Sequence, residues 1–241
     1  MQRRATTVLA WATTPLPPDV ILREQAMDFN QLRRDVHYAN IMLPRCGLVT
    51  MHSGNASGFD PASGHVLIKP SGYDYDQLEP EDLVEVTLDG EVVGGQLKPS
   101  VDLPHHLYVY RRRPDIRGII HTHSNYATSF AALGWPIPVC LTAIADEFGG
   151  DIPCAPYVDN EGDHIGEAIL AAMGKSPAVL LGQHGVFAFG DSPRAALKAA
   201  VMVEDVARTV HLAMLLGEPK RLPPEEVAKW FSRYHERYGQ R

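Results

Sequence analysis

The chain has 241 residues, 45% of them hydrophobic, and carries 22 Lys+Arg against 29 Asp+Glu for a net charge of -7. That length supports a substantial core, and the acidic balance without basic runs or interleaved aromatics excludes nucleic acid as an expected partner. Three cysteines at wide spacing, Cys46, Cys140 and Cys154, exclude a disulfide framework or a CxxC zinc site and fit a reducing cytoplasm.

In chain order, "MQRRATTVLAWATTPLPPDV" has a short apolar run, no clear cleavage site and several prolines, so residues 1–18 are expected to be a flexible lead-in. No later stretch approaches membrane-spanning length. Residues 19–43 repeat apolar side chains at helical spacing and stop at Pro44, which predicts an amphipathic first helix. "HSGNASG" (52–58) and "IKPSGYDY" (68–75) read as small-residue loops. "LVEVTLDGEVVGG" is a hairpin turning at Asp89-Gly90, and "DLPHHLYVYRRRP" is a short helix closed by Pro114. A strand follows in "GIIHTHS" (118–124), and "AVLLGQHGVFAFG" supplies two more that meet near Gln183 to Gly185. Ser192 and Pro193 open a long helix to Gly217, and a last helix begins near "PPEEV" and holds Trp230, Tyr234 and Tyr238. No repeat or divided composition appears, so residues 19–241 are expected to form one α/β domain, a largely antiparallel sheet flanked by helices.

The chemistry starts at His121 and His123. Side chains alternate along a strand, so both imidazoles face one way, and neutral imidazoles offer the lone pairs that zinc and similar divalent metals bind. A third would be sought where a strand ends in a tight turn, and His184 sits in such a place. Three neutral ligands leave a metal its full charge and an open position, a catalytic arrangement. The two small-residue loops offer backbone N–H groups, hydroxyls, the amide of Asn55 and the charge of Lys69, a mixture suited to phosphate. Neither is a P-loop. Ser100 and Asp102 precede a helix, where Asp102 is either an N-cap or a carboxylate beside the metal.

Taken in order, SGN, KPSG, KPSxD, HTH and QHG over residues 47–190 resemble the class II aldolase/adducin family, closest to its L-ribulose-5-phosphate 4-epimerase branch. The resemblance implies a three-layer αβα fold and one divalent metal per subunit, zinc first with manganese or cobalt as substitutes. It places the metal on His121, His123 and His184, with Asp102 beside or on it. Gly54, Asn55, Lys69, Ser71, Gly72 and Ser100 would surround the phosphate of a sugar substrate. Asp146, in "TAIADEFGG", and Tyr238, in "RYGQR", would supply the acid and base beside Asp102. It further implies a homotetramer in which Tyr238 acts in a neighbouring subunit's site. The implied activity is retro-aldol 4-epimerisation of a ketopentose phosphate; an aldolase of the fuculose-1-phosphate type is the alternative, and a non-catalytic adducin-like module a third. The family's aldolases carry glutamate where Asp102 stands, which favours the epimerase. Two positions depart from the epimerase pattern: Val101 replaces a serine, and His52-Ser53 replaces a tryptophan before the glycine. An amidohydrolase barrel, which also carries HxH on a strand, needs about 250 residues, more than the chain after His123 can provide.

Overall fold

A computed structural model describes residues 28–239. The expected lead-in, residues 1–18, lies outside the described residues. The first helix, α1, spans Phe29–Arg45 and is capped by the Asp28 side chain on the Asn30 amide. It differs from the expected 19–43: residues 19–27 are not described, and Pro44 is accommodated inside the last turn rather than ending the helix. A proline there forfeits a single backbone bond, and the Cys46 amide still reaches the Met42 carbonyl.

Eight strands form one sheet: β1 Asn55–Asp60, β2 His65–Ile68, β3 Val84–Thr87, β4 Val92–Gly94, β5 Gly118–Thr122, β6 Cys154–Ala155, β7 Ala178–Leu181 and β8 Gly185–Gly190. Their order is β4-β3-β2-β1-β5-β8-β7-β6, and every pair is antiparallel except β6 with β7. The sheet is open, which rules out the barrel. The β3–β4 hairpin turns at Asp89-Gly90 as the sequence requires, with Gly90 at φ 89°.

The segment read as a loop at 52–58 is corrected: from Asn55 onward it is β1, a central strand buried along its whole length between β2 and β5. Its residues are small because helices press on it from above. A Cβ on Gly58 would sit 2.6 Å from Val36 and 2.7 Å from Leu32 of α1. Small polar residues hide a strand from any pattern of apolar alternation.

Six further helices complete the layers: α2 Leu103–Arg112, α3 Asn125–Ala132, α4 Thr142–Phe148, α5 His164–Met173, α6 Pro193–Leu216 and α7 Pro224–Arg237. One face of the sheet packs with α2 and α5 around Leu107, Ile165, Phe187 and Phe189; the other packs with α1, α3, α4 and α6 around Leu43, Phe130, Ile144 and Val203. Side chains of β5 alternate between these two clusters, Ile119 to the first and Ile120 to the second. The long helix α6 matches its expected bounds, with the Ser192 side chain accepting from the Ala195 amide and Gly217 as its C-cap. Tyr238 lies just past α7 rather than within it, as that helix's C-cap.

Gly118 begins β5 where the start of α6 crosses it, and an added Cβ would strike the Ser192 carbonyl and the Pro193 nitrogen. These are backbone atoms that cannot swing away. Gly118→Ala is therefore expected to cost about 1–3 kcal/mol by overpacking, read as a lowered denaturant midpoint at unchanged m-value.

Candidate metal centre

The three histidines meet because β5 ends where β8 begins. His121 pairs with Phe187 across that ladder, and the turn joining β7 to β8 holds Gln183 at φ 57° and delivers His184. Gly185 lets the strands close: a Cβ there would lie 2.5 Å from the Thr122 carbonyl and 2.7 Å from the His123 ring. His121 and His123 share a side as expected, with ring centroids 4.7 Å apart, and the His184 ring lies 5.0 and 5.3 Å from theirs. One nitrogen from each of the three rings lies within 4.8 Å of the others.

His121 Nδ1 stands 3.0 Å from the Val186 carbonyl. A carbonyl only accepts, so Nδ1 carries the proton and the Nε2 lone pair faces His123 Nε2 at 3.0 Å. Burial drives the His121 pKa down to about 3 and lowers those of His123 and His184. All three are then neutral at physiological pH, the form that binds metal. Three converging neutral imidazoles, one fixed in tautomer by a backbone carbonyl, fit a divalent cation.

Asp102 occupies the position before α2 yet makes no cap hydrogen bond. Its Oδ2 instead accepts from Asn55 Nδ2 at 2.7 Å, and its own amide donates to Ser100 Oγ at 3.3 Å. Burial raises its pKa, the charge that His121 and His106 take on in acid and the hydrogen bond from Asn55 lower it, and the balance lies below the usual carboxylate value. An ionised carboxylate thus stands beside the histidines, outside the set of converging ring nitrogens.

The expected anion loops adjoin this group. Asn55, first residue of β1, pairs with His121, and its Nδ2 also donates to Ser100 Oγ at 3.1 Å. The segments 69–71 and 98–100 are stitched by Ser100 N to Lys69 O at 3.0 Å and Ser71 N to Lys98 O at 2.9 Å. Gly54 is forced by φ 74° and by the His121 carbonyl, 2.8 Å from where a Cβ would sit. Ser71 and Gly72 lie exposed at the rim. Lys69 is 1% exposed, yet among the described residues its Nζ meets only the Pro70 carbonyl at 3.4 Å and the face of Tyr75 at 4.6 Å. Burial lowers its pKa to about 8 despite the pull of Asp74. Asn55 Oδ1 is likewise buried without a partner. A buried ammonium with no hydrogen-bonded carboxylate among the described residues, beside an unpaired Asn55 Oδ1, is chemically suited to an anion.

Asp146 and Tyr238 are not brought to this centre within the chain. Asp146 lies on α4, which packs against α7 and α6, and its side chain makes no hydrogen bond or ion pair among the described residues. Tyr238 is 61% exposed and stacks on Tyr234 at 4.9 Å. Tyr234 in turn meets Lys198 in the first turns of α6, beside Gly190, the end of β8 remote from His184. Both residues ride on the packed α4–α7 pair, and neither touches a histidine of the cluster among the described residues.

Sequence reasoning missed Tyr75, whose hydroxyl donates to the Gly54 carbonyl at 2.8 Å and whose ring supports Lys69. It also missed a buried row in which Ser57 Oγ lies 2.7 Å from His106 Nδ1 and 2.8 Å from the Tyr110 hydroxyl. The His106 ring is edge-on to Phe187 at 5.6 Å, and Phe187 stacks on His121 at 4.4 Å. No spacing in the sequence marks these residues, because each acts through a fold contact. His52, one of the departures noted above, pairs with Asp74 at 3.0 Å.

Residues 34–211 match the family described as Class II Aldolase and Adducin N-terminal domain. The L-ribulose-5-phosphate 4-epimerase UlaF of Salmonella paratyphi B is 41% identical over 194 residues, 76% of this chain and 85% of that protein. Among solved structures, an L-fuculose 1-phosphate aldolase superposes with a TM-score of 0.79 at 30% identity, covering 87% of this chain and 99% of that one. YgbL of Klebsiella pneumoniae, described as a putative aldolase/epimerase/decarboxylase, superposes with a TM-score of 0.74 at 31% identity over 85% of this chain and 99% of that one. The chain belongs to the class II aldolase and adducin family.

Replacing Lys69 by methionine removes an uncompensated buried ammonium while keeping its volume. Lys69→Met is expected to raise the melting temperature at neutral pH and abolish inorganic phosphate binding, read by calorimetry. In the wild type the ammonium is present below about 8 and lost above it, so phosphate affinity falls through that range. Stability moves the other way. The unfolded chain keeps the lysine proton up to its ordinary value of 10.5, so between the two values it binds more protons and stability rises with pH.

Proposed function

We propose that the protein is a metal-dependent 4-epimerase of a ketopentose phosphate such as L-ribulose 5-phosphate, acting by carbon–carbon cleavage and re-addition. The observation that carries the reading is the convergence of His121, His123 and His184 next to an ionised Asp102 and an unneutralised, buried Lys69. The identity to an epimerase supports the same choice, as does aspartate rather than glutamate at position 102 in light of the family resemblance.

A divalent cation, zinc first by its affinity for imidazole, would be held by the three histidines and supply the positive charge that steadies an enediolate. Lys69, Asn55, Ser71, Gly72 and Ser100 hold the substrate phosphate, and Gly54, whose bare backbone lets β1 close on the His121 carbonyl, sets Asn55 in place among them. Asp102, held by Asn55 and Ser100, accepts a hydrogen bond from a sugar hydroxyl in this reading. Removal of the proton from the carbon 4 hydroxyl breaks the bond between carbons 3 and 4, and the bond electrons stay with carbon 3. The aldehyde fragment, glycolaldehyde phosphate, turns over its other face, the bond re-forms, and the new alkoxide takes a proton from the opposite side. One group must take a proton on one face and another give one on the other. Asp146 and Tyr238 fill these roles, and the exposure of Tyr238 past the end of α7 supports its acting in a neighbouring subunit's site of a homotetramer. The three free cysteines fit a cytoplasmic location.

A second reading, an aldolase that releases the aldehyde, is favoured by the superposition on an L-fuculose 1-phosphate aldolase. Retention of the whole histidine cluster and of Lys69 weighs against an adducin-like module without catalysis. Incubation with L-ribulose 5-phosphate should yield its 4-epimer, D-xylulose 5-phosphate, without accumulating free aldehyde; stoichiometric aldehyde would replace epimerase by aldolase. Tyr238→Phe is expected to retain its metal and lose about 10²-fold or more of the epimerase rate. Full activity in that variant removes the tyrosine from the mechanism.

A further inference from the structure

The helix α3 bridges two of the three histidines. It starts two residues after His123, and near its other end the Ala131 carbonyl accepts from the Gln183 amide at 2.9 Å, immediately before His184. At eight residues it is a strut of about 12 Å. What fixes its first turn is not its own cap residue: Ser124 makes no capping bond, and its Oγ is buried without a partner. The free amides are met from another element. Glu204, on α6, accepts from Tyr126 N at 3.0 Å through one carboxylate oxygen and from Ala127 N at 2.9 Å through the other. An anion at that end also opposes the positive pole of the helix. α6 is itself seated on the sheet by Ala200, Val203 and Ala207, all buried.

We infer that Glu204 is a positioning residue for the metal centre: by clamping the start of α3 to α6 it sets where the chain leaves His123, and through the strut it sets the spacing from His123 to His184. The carboxylate touches none of the three imidazoles. It acts on the backbone that follows one and, through α3, on the turn that carries another. Removing a partner that holds a metal-binding side chain directly changes metal affinity by roughly 10–100-fold, and Glu204, which acts through the backbone, is expected in the lower part of that range. The alternative, that Glu204 only stabilises the fold, makes a different forecast.

The inference rests on the proposed three-histidine metal site, and the experiment separates the two. Cobalt(II) is titrated into metal-free, full-length wild type, Glu204→Gln and Glu204→Ala against a competing chelator, with the visible spectrum of bound cobalt recorded. Ser192→Ala, which removes the cap of α6, serves as a purely structural control. Both Glu204 variants should bind cobalt about 10-fold more weakly with an altered spectrum, and the metal-free proteins should show faster amide exchange at Tyr126, Ala127 and Gln183. Ser192→Ala should melt earlier with unchanged cobalt affinity. Glu204→Gln keeps the side-chain volume and remains informative if the alanine variant does not fold. Cobalt affinity within two-fold of wild type and an unchanged spectrum in a folded Glu204 variant overturn the inference alone. Failure of the wild type to bind cobalt overturns both it and the metal site.

Discussion

The antiparallel ladder between β5 and β8 is the constraint on which the site depends. It sets the last residues of one strand against the first of the other, so that histidines 61 positions apart, His123 and His184, share one end of the sheet. The approach is tolerated only because Gly185 carries no side chain toward Thr122 and His123. On the same face His121 stacks on Phe187, joining an imidazole to the apolar cluster beneath α2. That contact buries His121 and so keeps it neutral, which converts packing into coordination chemistry.

Stability and function pull against each other here. Lys69, Asn55 Oδ1, His105 Nδ1 and His106 Nε2 are all buried with incomplete partners. Each such group costs about 1–3 kcal/mol in a folded chain. The apolar clusters on both faces of the sheet offset that burden.

Much of this was legible in the amino-acid order, for stated reasons. A two-residue spacing fixes the side on which His121 and His123 emerge, a strand-turn-strand pattern exposes His184, and Ser192-Pro193 marks a helix start by its lack of an amide to satisfy. β1 was not legible. Its residues are chosen for smallness beneath α1 and α6 rather than for alternation. Asp102 read as either a cap or a carboxylate beside the metal; it makes no cap bond and accepts instead from Asn55, 47 residues earlier, a contact that no local motif records. Glu204 gave no signal at all, because a capping carboxylate that arrives from 78 residues away leaves no local motif. The expectation that Tyr238 belongs to another subunit's site came from the resemblance, and its place at the far end of the sheet from His184 supports it.

The most direct measurement is X-ray absorption at the metal edge of protein loaded with one equivalent of zinc. Three imidazole nitrogens at about 2.0–2.1 Å, with the outer scattering of intact rings, are predicted. Removing the His184 ring should reduce that shell to two. A first shell containing sulfur, or one made of oxygen alone, would contradict the three-histidine centre and the chemistry built on it.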